Sequence, residues 1–416
     1  MNIYLLIFLI LISLEYLLDS ITDFLDLKAF SPILPDEFQG TYDPARYEKA
    51  RQYKSDNTSF GFVQRTVSLS LFIAFLLLGG FNWVDQLARD FAQGFSSSEP
   101  VLGIFYAAIL SLLKMLTGLP FSFYATFVIE ERYGFNKTTG KTYLADLLKG
   151  LLLTVILGAP LFAGLIYFFQ SFGPSAWLYA WLFITTVQLS LMYIAPAWIL
   201  PLFNKFEPLK DGELRNRIIE YMNREHFDLE GVYTMDGSRR STKANAFFTG
   251  FGKLRRLVLF DTLIEKHSIE ELVAVLAHEV GHFRRNHILK SIALTILVSG
   301  IVFYTFSFFI GNPQIADAFG MQFVSVYSSL IFISLLYSPV TRLFSLVTQA
   351  ISRKHEFEAD EFSARTYGKP EALALALKKL SADSMANLTP HPLKILLDYS
   401  HPPVLQRIRA LRAFTP

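Results

Sequence analysis

The chain has 416 residues, of which 52% are hydrophobic and 18% are charged, and its net charge is +2. A soluble domain has nearer a quarter of charged residues, so the composition favours a membrane protein, and the charge gives no reason to expect a nucleic-acid partner. Cysteine is absent, which excludes disulfides, a thiolate nucleophile and a cysteine-ligated zinc. Any bound metal must therefore be held by His, Asp or Glu.

Apolar stretches long enough to span a bilayer, about 20 residues each, recur along the chain. They cover seven windows: 2–19, 66–86, 101–127, 146–171, 176–203, 288–311 and 321–346. The first window has no basic residue before its apolar stretch and no small-residue cleavage site. We therefore predict a retained span with its amino terminus outside, and not a secretory signal peptide.

The positions of Lys and Arg agree with seven spans in this orientation. Cytoplasmic loops carry an excess of these residues. Basic residues are frequent in the loops predicted to be cytoplasmic, which are 20–65, 128–145 and 204–287, and in the carboxyl tail. Arg89 is the single Lys or Arg residue in the predicted outer loops, which are 87–100, 172–175 and 312–320. The predicted domains are a membrane domain 1–203, a cytoplasmic part 204–287, spans within 288–346 and a second cytoplasmic part 347–416.

Two charged residues within the apolar windows indicate a hydrated interior. Lys114 lies about ten residues from either end of its window, and an intramembrane charge usually faces water or a charged partner. Glu15 has the simpler alternative of reaching the membrane surface. Pro160, Pro196 and Pro201 allow helix kinks that would bow the spans around a space.

The sequence HEVGH closes the first cytoplasmic part. His278 and His282 are four residues apart, so on a helix their rings share one face, as two ligands of a tetrahedral Zn2+ require. Glu279 does not share that face and can act as a general base toward water. Ser268 followed by Glu271 predicts a capped helix start. The alternative is a chance match on an amphipathic helix.

The third metal ligand has three candidate sources. A metzincin would have its third histidine at position 288, but this sequence has Ile288 there. An intramembrane site-2 protease would take an aspartate from a later span, and the last two windows contain none. The remaining source is a second helix after the last span, SRKHEFEADEFSARTYG, where Glu356 can ligate zinc and Asp360 can hold the other ring nitrogen of a ligand histidine. By itself this stretch is also typical of a solvated charged helix.

The other histidines are weaker candidates for ligands. Surface positions are expected for His226, His267, His355 and His391. His287 lies close to HEVGH, and a structural or supporting role is favoured for it over ligation.

Together these features resemble the integral-membrane zinc CAAX prenyl proteases of type I. The resemblance rests on seven spans, HExxH before the sixth and ExxAD after the last, and on further motifs in the same order: FVIEERYGFNKTT, IAPAWILPLFNKFEPL, KANAFFTGF, RLVLFDTLI and YSHPP. It implies a mainly α-helical fold in which seven transmembrane helices enclose a chamber. It also implies a cytoplasmic gluzincin-like zinc peptidase domain with a small β-sheet.

The resemblance also assigns site residues. It implies zinc ligation by His278, His282 and Glu356, general base catalysis by Glu279, substrate pairing at the strand edge by Asn245 and Ala246, and oxyanion stabilisation by His401 and Arg407. Donors at a developing oxyanion and polar groups at a strand edge both have a clear chemical purpose. Without the resemblance, Asn245 could be a turn residue, His401 a neighbour of a helix start and Arg407 a surface charge.

The expected function is that of a monomeric membrane zinc metalloendopeptidase with one Zn2+ per chain. It would cleave near the carboxyl terminus of CAAX-type or other hydrophobic, membrane-associated peptides, with lipid-modified ones included. The membrane would be a bacterial inner membrane or the endoplasmic reticulum. One alternative is an HtpX-like quality-control protease. The other is a transporter with a structural zinc, which should show inverted repeats and four protein ligands.

Overall fold

The computed structural model describes residues 2–249 and 255–414. Residues 1, 250–254 and 415–416 lie outside these ranges, and they include the last two residues of KANAFFTGF, Gly250 and Phe251. The described helices are α1 Ile3–Ala29, α2 Pro44–Leu77, α3 Gly80–Ala92, α4 Glu99–Tyr124, α5 Gly140–Leu153, α6 Ala159–Ser171, α7 Ala176–Ile194, α8 Leu200–Phe203, α9 Glu213–Arg224, α10 Asp261–Lys266, α11 Ile269–Arg284, α12 His287–Ser307, α13 Pro313–Ala318, α14 Val326–Tyr367, α15 Pro370–Asp383, α16 Pro392–Asp398 and α17 Val404–Ala413. The strands are β1 Phe206–Pro208, β2 Gly231–Met235, β3 Ala246–Thr249 and β4 Arg256–Phe260.

Seven helical segments of the described chain are long and apolar enough to cross a membrane, which confirms the predicted number. They are Ile3–Ala29, Pro44–Leu77, Glu99–Glu130, Gly140–Ser171, Gly173–Phe203, His287–Ser307 and Val326–Tyr367. The second span ends earlier than its predicted window. Gly79 adopts φ +74, a left-handed conformation that glycine tolerates, and this turn separates α2 from α3. Residues 80–86 therefore belong to α3.

The seven spans form a closed ring in chain order. Each span packs against the next, and the seventh packs against the first. At the end where α1 begins, the ring is filled by an aromatic core that contains Phe8, Phe81, Tyr106, Phe319, Tyr327 and Phe332. Even with this core included, at most 17% of any apolar window is buried.

Charged residues on the spans are joined to the carboxyl-terminal helices by ion pairs. Arg342 of α14 lies 2.9 Å from both Asp19 of α1 and Asp398 of α16. Pairing of this kind allows charges to lie within membrane helices. Lys114 is exposed on α4, and Glu15 lies 3.5 Å from the hydroxyl of Ser338.

A small mixed sheet lies beside the HEVGH helix, as predicted. The strand order is β1-β2-β4-β3, with β2 and β4 parallel and the outer pairs antiparallel. β3 is therefore an edge strand. The inner face of β4 contributes Leu257 and Leu259 to a core shared with Leu272, Val273 and Leu276 of α11. This core fixes the metal-binding helix against the sheet.

The two helices that carry the predicted ligands, α11 and α14, cross closely. A Cβ at Gly281 would stand only 3.0 Å from the Cα of Ala359, so glycine allows this close approach. α14 is one continuous helix of 42 residues, so the expected separate helix after the last span is wrong. It runs through the predicted domain boundary at 346/347. α11, in contrast, is separated from α12 by Asn286, whose φ is +56.

Candidate metal centre

The start of α11 is fixed by a buried polar cluster. The hydroxyl of Ser268 accepts a hydrogen bond from the backbone N–H of Glu271 at 3.3 Å, as predicted for the helix cap. The carboxylate of Glu271 lies 2.8 Å from His267 Nδ1 and 2.7 Å from Lys379 Nζ. His267 is buried, so its expected surface position is wrong. Burial lowers the pKa of His267, although the Glu271 carboxylate opposes this change.

The three predicted ligands meet on facing sides of α11 and α14. His278, His282 and Glu356 each offer one ligand atom, and these atoms lie within 4.8 Å of one another. Nε2 of His282 is 3.2 Å from Nε2 of His278 and 3.2 Å from a carboxylate oxygen of Glu356. In the described part of the chain, Oε2 of Glu356 is buried without a well-directed hydrogen bond. Two imidazoles and a buried carboxylate form a donor set that fits a metal cation.

Asp360 lies behind His278, on the side away from the other ligands. Its carboxylate is 2.9 Å from Nδ1 of His278 and also accepts hydrogen bonds from Nε and Nη2 of Arg407, at 2.8 and 2.7 Å. Nη1 of Arg407 is 3.0 Å from Glu356. Burial opposes a charge on His278, but the hydrogen bonds of Asp360 and Glu356 prevail and raise its pKa to about 9. The ring is therefore held strongly on its carboxylate side.

The other predicted residues lie at different distances from this cluster. Nε2 of His401 is 3.3 Å from Glu356, and the ring is exposed. Glu279 is half-buried on α11. Burial lowers the pKa of Arg407, but the charges of Asp360, then Glu356 and last Glu279, outweigh burial and raise it. Asn245 is exposed immediately before the edge strand β3, where Ala246 is the first residue. The surface alternative for Arg407 is wrong because its side chain is only 8% exposed.

Two further histidines lie beside the cluster. His287 and His355 are both buried, with 3% and 8% of their surface exposed, so the expected surface position of His355 is wrong. The sequence gives a weak signal for His287, its closeness to HEVGH. Burial of His355 has no sequence signal, because it depends on the packing of α12 against α14.

Family models match nearly the whole chain. A model described as the CAAX prenyl protease N-terminal region with five membrane helices matches residues 23–205, and the model of peptidase family M48 matches residues 208–415. The chain belongs to peptidase family M48. The match to the first model begins near the end of the first span and covers the second to fifth spans in full.

Relatives of similar length share this assignment. The chain is 35% identical over 402 residues to "CAAX prenyl protease 1 homolog" of Arabidopsis thaliana, covering 95% of this chain and 94% of that protein. It is 31% identical to "CAAX prenyl protease 1" of Saccharomyces cerevisiae, covering 91% and 88%. The crystal structure of S. mikatae Ste24p superposes with a TM-score of 0.93 at 29% identity, covering 98% of this chain and 99% of that one.

This M48 protein is a multi-pass membrane metallopeptidase that acts on peptide substrates. Membership of the family implies a metal cofactor, and the His–His–Glu cluster is a fitting place for it. The two alternatives from the sequence, an HtpX-like protease and a transporter with a structural zinc, are not favoured, because full-length relatives are CAAX prenyl proteases.

Proposed function

We propose that this protein is a zinc endopeptidase that cleaves near the carboxyl terminus of CAAX-type or other membrane-associated peptides. The observation that supports this most strongly is the convergence of His278, His282 and Glu356 within 4.8 Å, with the histidines on a helix, α11, that packs against a sheet with β3 at its edge. Two histidines and one glutamate are a known set for catalytic zinc, which leaves a fourth position open. Bound zinc would polarise the scissile carbonyl and make water more acidic.

The residues around the ligands would divide the chemical work. Glu279 would take a proton from the attacking water and then give it to the leaving amine, so that the carbonyl carbon gains a C–O bond as its C–N bond breaks. His401 is exposed next to Glu356 and would donate a hydrogen bond to the oxygen that becomes negative. Asp360 would hold His278 in one orientation through Nδ1.

For Arg407 two roles are proposed, and the geometry supports one of them more. Its Nε and Nη2 donate to Asp360 and its Nη1 lies 3.0 Å from Glu356, so it would first neutralise and position these buried carboxylates. An additional contact with the oxyanion stays a prediction of the family resemblance.

A peptide substrate would add a strand to the outer edge of β3, which has no second strand partner among the described residues. Backbone hydrogen bonds supply affinity in this mode of binding, and Asn245 and Ala246 lie where the strand starts. The names of the relatives suggest that lipid-modified CAAX peptides are among the substrates. The space within the ring of spans would accept the apolar group of such a peptide.

The distribution of basic residues supports a cytoplasmic active site. Residues 204–287 and 347–416 would form one peptidase domain on the inner ends of the spans. We further propose that the enzyme acts as a monomer, since all the proposed site residues belong to one chain.

The variant Glu279→Gln tests the proposal. It should retain near-stoichiometric zinc while cleavage of a farnesylated CAAX peptide falls to background, because the general base is lost and the ligands are not. Metal analysis and single-turnover cleavage, both on purified protein in detergent, measure the two quantities. A matched unprenylated peptide shows whether the lipid is required. An empty site in a folded Glu279→Gln protein would assign Glu279 to the metal instead.

A further inference from the structure

We infer that His287 is a positioning residue that orients the metal-binding ring of His282, in a chain of hydrogen bonds that begins at Glu358. Nδ1 of His282 is 3.1 Å from Nδ1 of His287, and Nε2 of His287 is 2.9 Å from a carboxylate oxygen of Glu358. The inference rests on the metal site proposed above. It gives a role to a histidine that the HExxH motif does not include.

The break between α11 and α12 makes this contact possible. In one continuous helix, residues five apart point about 140° away from each other, at 100° per residue. The left-handed backbone of Asn286, with φ +56, interrupts the helix immediately before His287. The first side chain of α12 therefore turns back toward His282, near the end of α11.

The chemistry of the imidazole rings sets the direction of the hydrogen bonds between His282, His287 and Glu358. Nε2 of His282 faces Glu356 and His278, so Nε2 is the atom that would bind the metal. A neutral imidazole has one N–H, which must then be on Nδ1 of His282 and be donated to Nδ1 of His287. His287 then carries its own proton on Nε2 and donates it to Glu358. Each donor thus meets an acceptor in only one arrangement of tautomers.

Packing holds His287 in this orientation. Its ring is stacked on that of His355, with centroids 3.9 Å apart and planes 6° from parallel, and only 3% of His287 is exposed. The second oxygen of Glu358 lies 3.7 Å from Nζ of the exposed Lys354. His287 can therefore neither rotate freely nor form hydrogen bonds with bulk water.

The two ligand histidines are consequently supported in different ways. Asp360 contacts His278 directly, whereas Glu358 acts on His282 through an intervening imidazole. Both carboxylates belong to α14, which also carries the ligand Glu356. Partners of this kind fix the orientation of a metal-binding histidine and raise its basicity.

Metal affinity, measured without any peptide, tests the inference. His287→Phe keeps the size and flatness of the ring and removes both hydrogen bonds, so the Kd for Zn2+ should rise about 10- to 100-fold. The Kd is obtained in detergent by competition with a chromophoric chelator. The visible absorption of the Co2+-loaded protein should also change, since it reports the geometry of the ligands. His287→Gln should recover most of the affinity, because an amide offers one acceptor and one donor.

His355→Phe is the matched control. It preserves a flat ring against His287 and leaves the hydrogen-bond chain intact, so its Kd and Co2+ spectrum should equal those of the parent protein. Glu358→Gln provides a second test at a partly exposed position, with a smaller expected loss, should His287→Phe not fold.

Three outcomes would overturn the inference: parent-like affinity in both His287→Phe and Glu358→Gln, an equal loss in His355→Phe, or no recovery in His287→Gln. Failure of the parent protein itself to bind zinc would instead reject the proposed metal site. Neither result depends on which peptide the enzyme cleaves.

Discussion

The metal centre is connected to the membrane in two different ways. The histidine helix α11 is separated from the sixth span by the left-handed Asn286, whereas the glutamate helix α14 continues from the seventh span without interruption. The position of Glu356 is therefore set by a helix that also reaches into the membrane. The histidines belong instead to a short capped helix that is held by the core of the peptidase domain.

This difference means that the ligands depend on different parts of the fold. Movement of the seventh span would be transmitted to Glu356 and Asp360 along the helix. The histidines would follow only through side-chain contacts, such as the close crossing at Gly281 and the link from His282 to His287. Variants that alter α14 and not α11, or the reverse, can show how far each set of ligands depends on its own helix.

The largest effect is expected from the ligand carried by the continuous helix. Glu356→Ala should abolish stoichiometric metal binding, because one of three protein ligands is lost. Asp360→Asn, one turn further along α14, should weaken metal affinity by only about 10- to 100-fold, since it supports a ligand and does not replace one. Metal analysis after dialysis distinguishes the two. Equal and complete loss in both variants would mean that ligand and support are wrongly assigned.

Continuity of α14 can be broken between the membrane and the site. Ala350 is exposed on this helix, six residues before Glu356. Ala350→Pro should destabilise the helix by about 3 kcal/mol and displace the glutamate, while Ala350→Gly should cost only about 1 kcal/mol and keep the helix intact. We expect Ala350→Pro to lose most of its peptidase activity and Ala350→Gly to retain it. Full activity and zinc content in the proline variant would show that the helix need not be continuous.

The two proposed oxyanion donors should behave differently, because one is exposed and the other is buried between carboxylates. His401→Ala should lower kcat about 100- to 1,000-fold with zinc content and thermal stability unchanged, as expected for a donor that acts in the transition state. Arg407→Ala would leave Asp360 and Glu356 without their cation and should lower Tm as well. A rise in KM alone for His401→Ala would identify a substrate-binding residue instead.

The smallest effect is expected at the start of the histidine helix. The pKa of His267 is below its ordinary value in the folded protein, so between this value and about 6.5 the unfolded chain binds more protons. The stability linked to His267 is therefore complete above about pH 6.5 and is lost as the pH falls through the folded pKa. His267→Gln should reduce the drop in Tm between pH 8 and pH 5. An unchanged drop would mean that other groups control acid sensitivity.

Some parts of this architecture could be predicted from the sequence because they depend on local spacing. The seven apolar windows, the capped HEVGH helix and the pair Glu356 and Asp360 all follow from periods along the chain. The order of the motifs identified the resemblance to the family, and the resemblance in turn implied the small sheet. Segment ends were less accurate, since the turn at Gly79 interrupts an otherwise continuous apolar pattern.

Other features could not be read because they arise from contacts between distant segments. Nothing near Arg407 in the sequence indicates that it lies between Asp360 and Glu356, 47 and 51 positions away. His267 and His355 resemble surface residues in their local sequence, yet neighbouring helices bury them. The unbroken course of α14 was hidden by the change from apolar to charged residues where the helix leaves the membrane.

The aromatic core at the end of the ring where α1 begins bears on the electrical integrity of the membrane. Phe319 stacks on Phe332 with centroids 4.1 Å apart, and Phe81 meets both rings edge-on. An ion entering between these aromatic rings would lose its hydration, at an idealised cost on the order of 20 kcal/mol. Water within the ring would thus end in a seal, and the enzyme could hold a hydrated reaction space without becoming a pore that dissipates ion gradients.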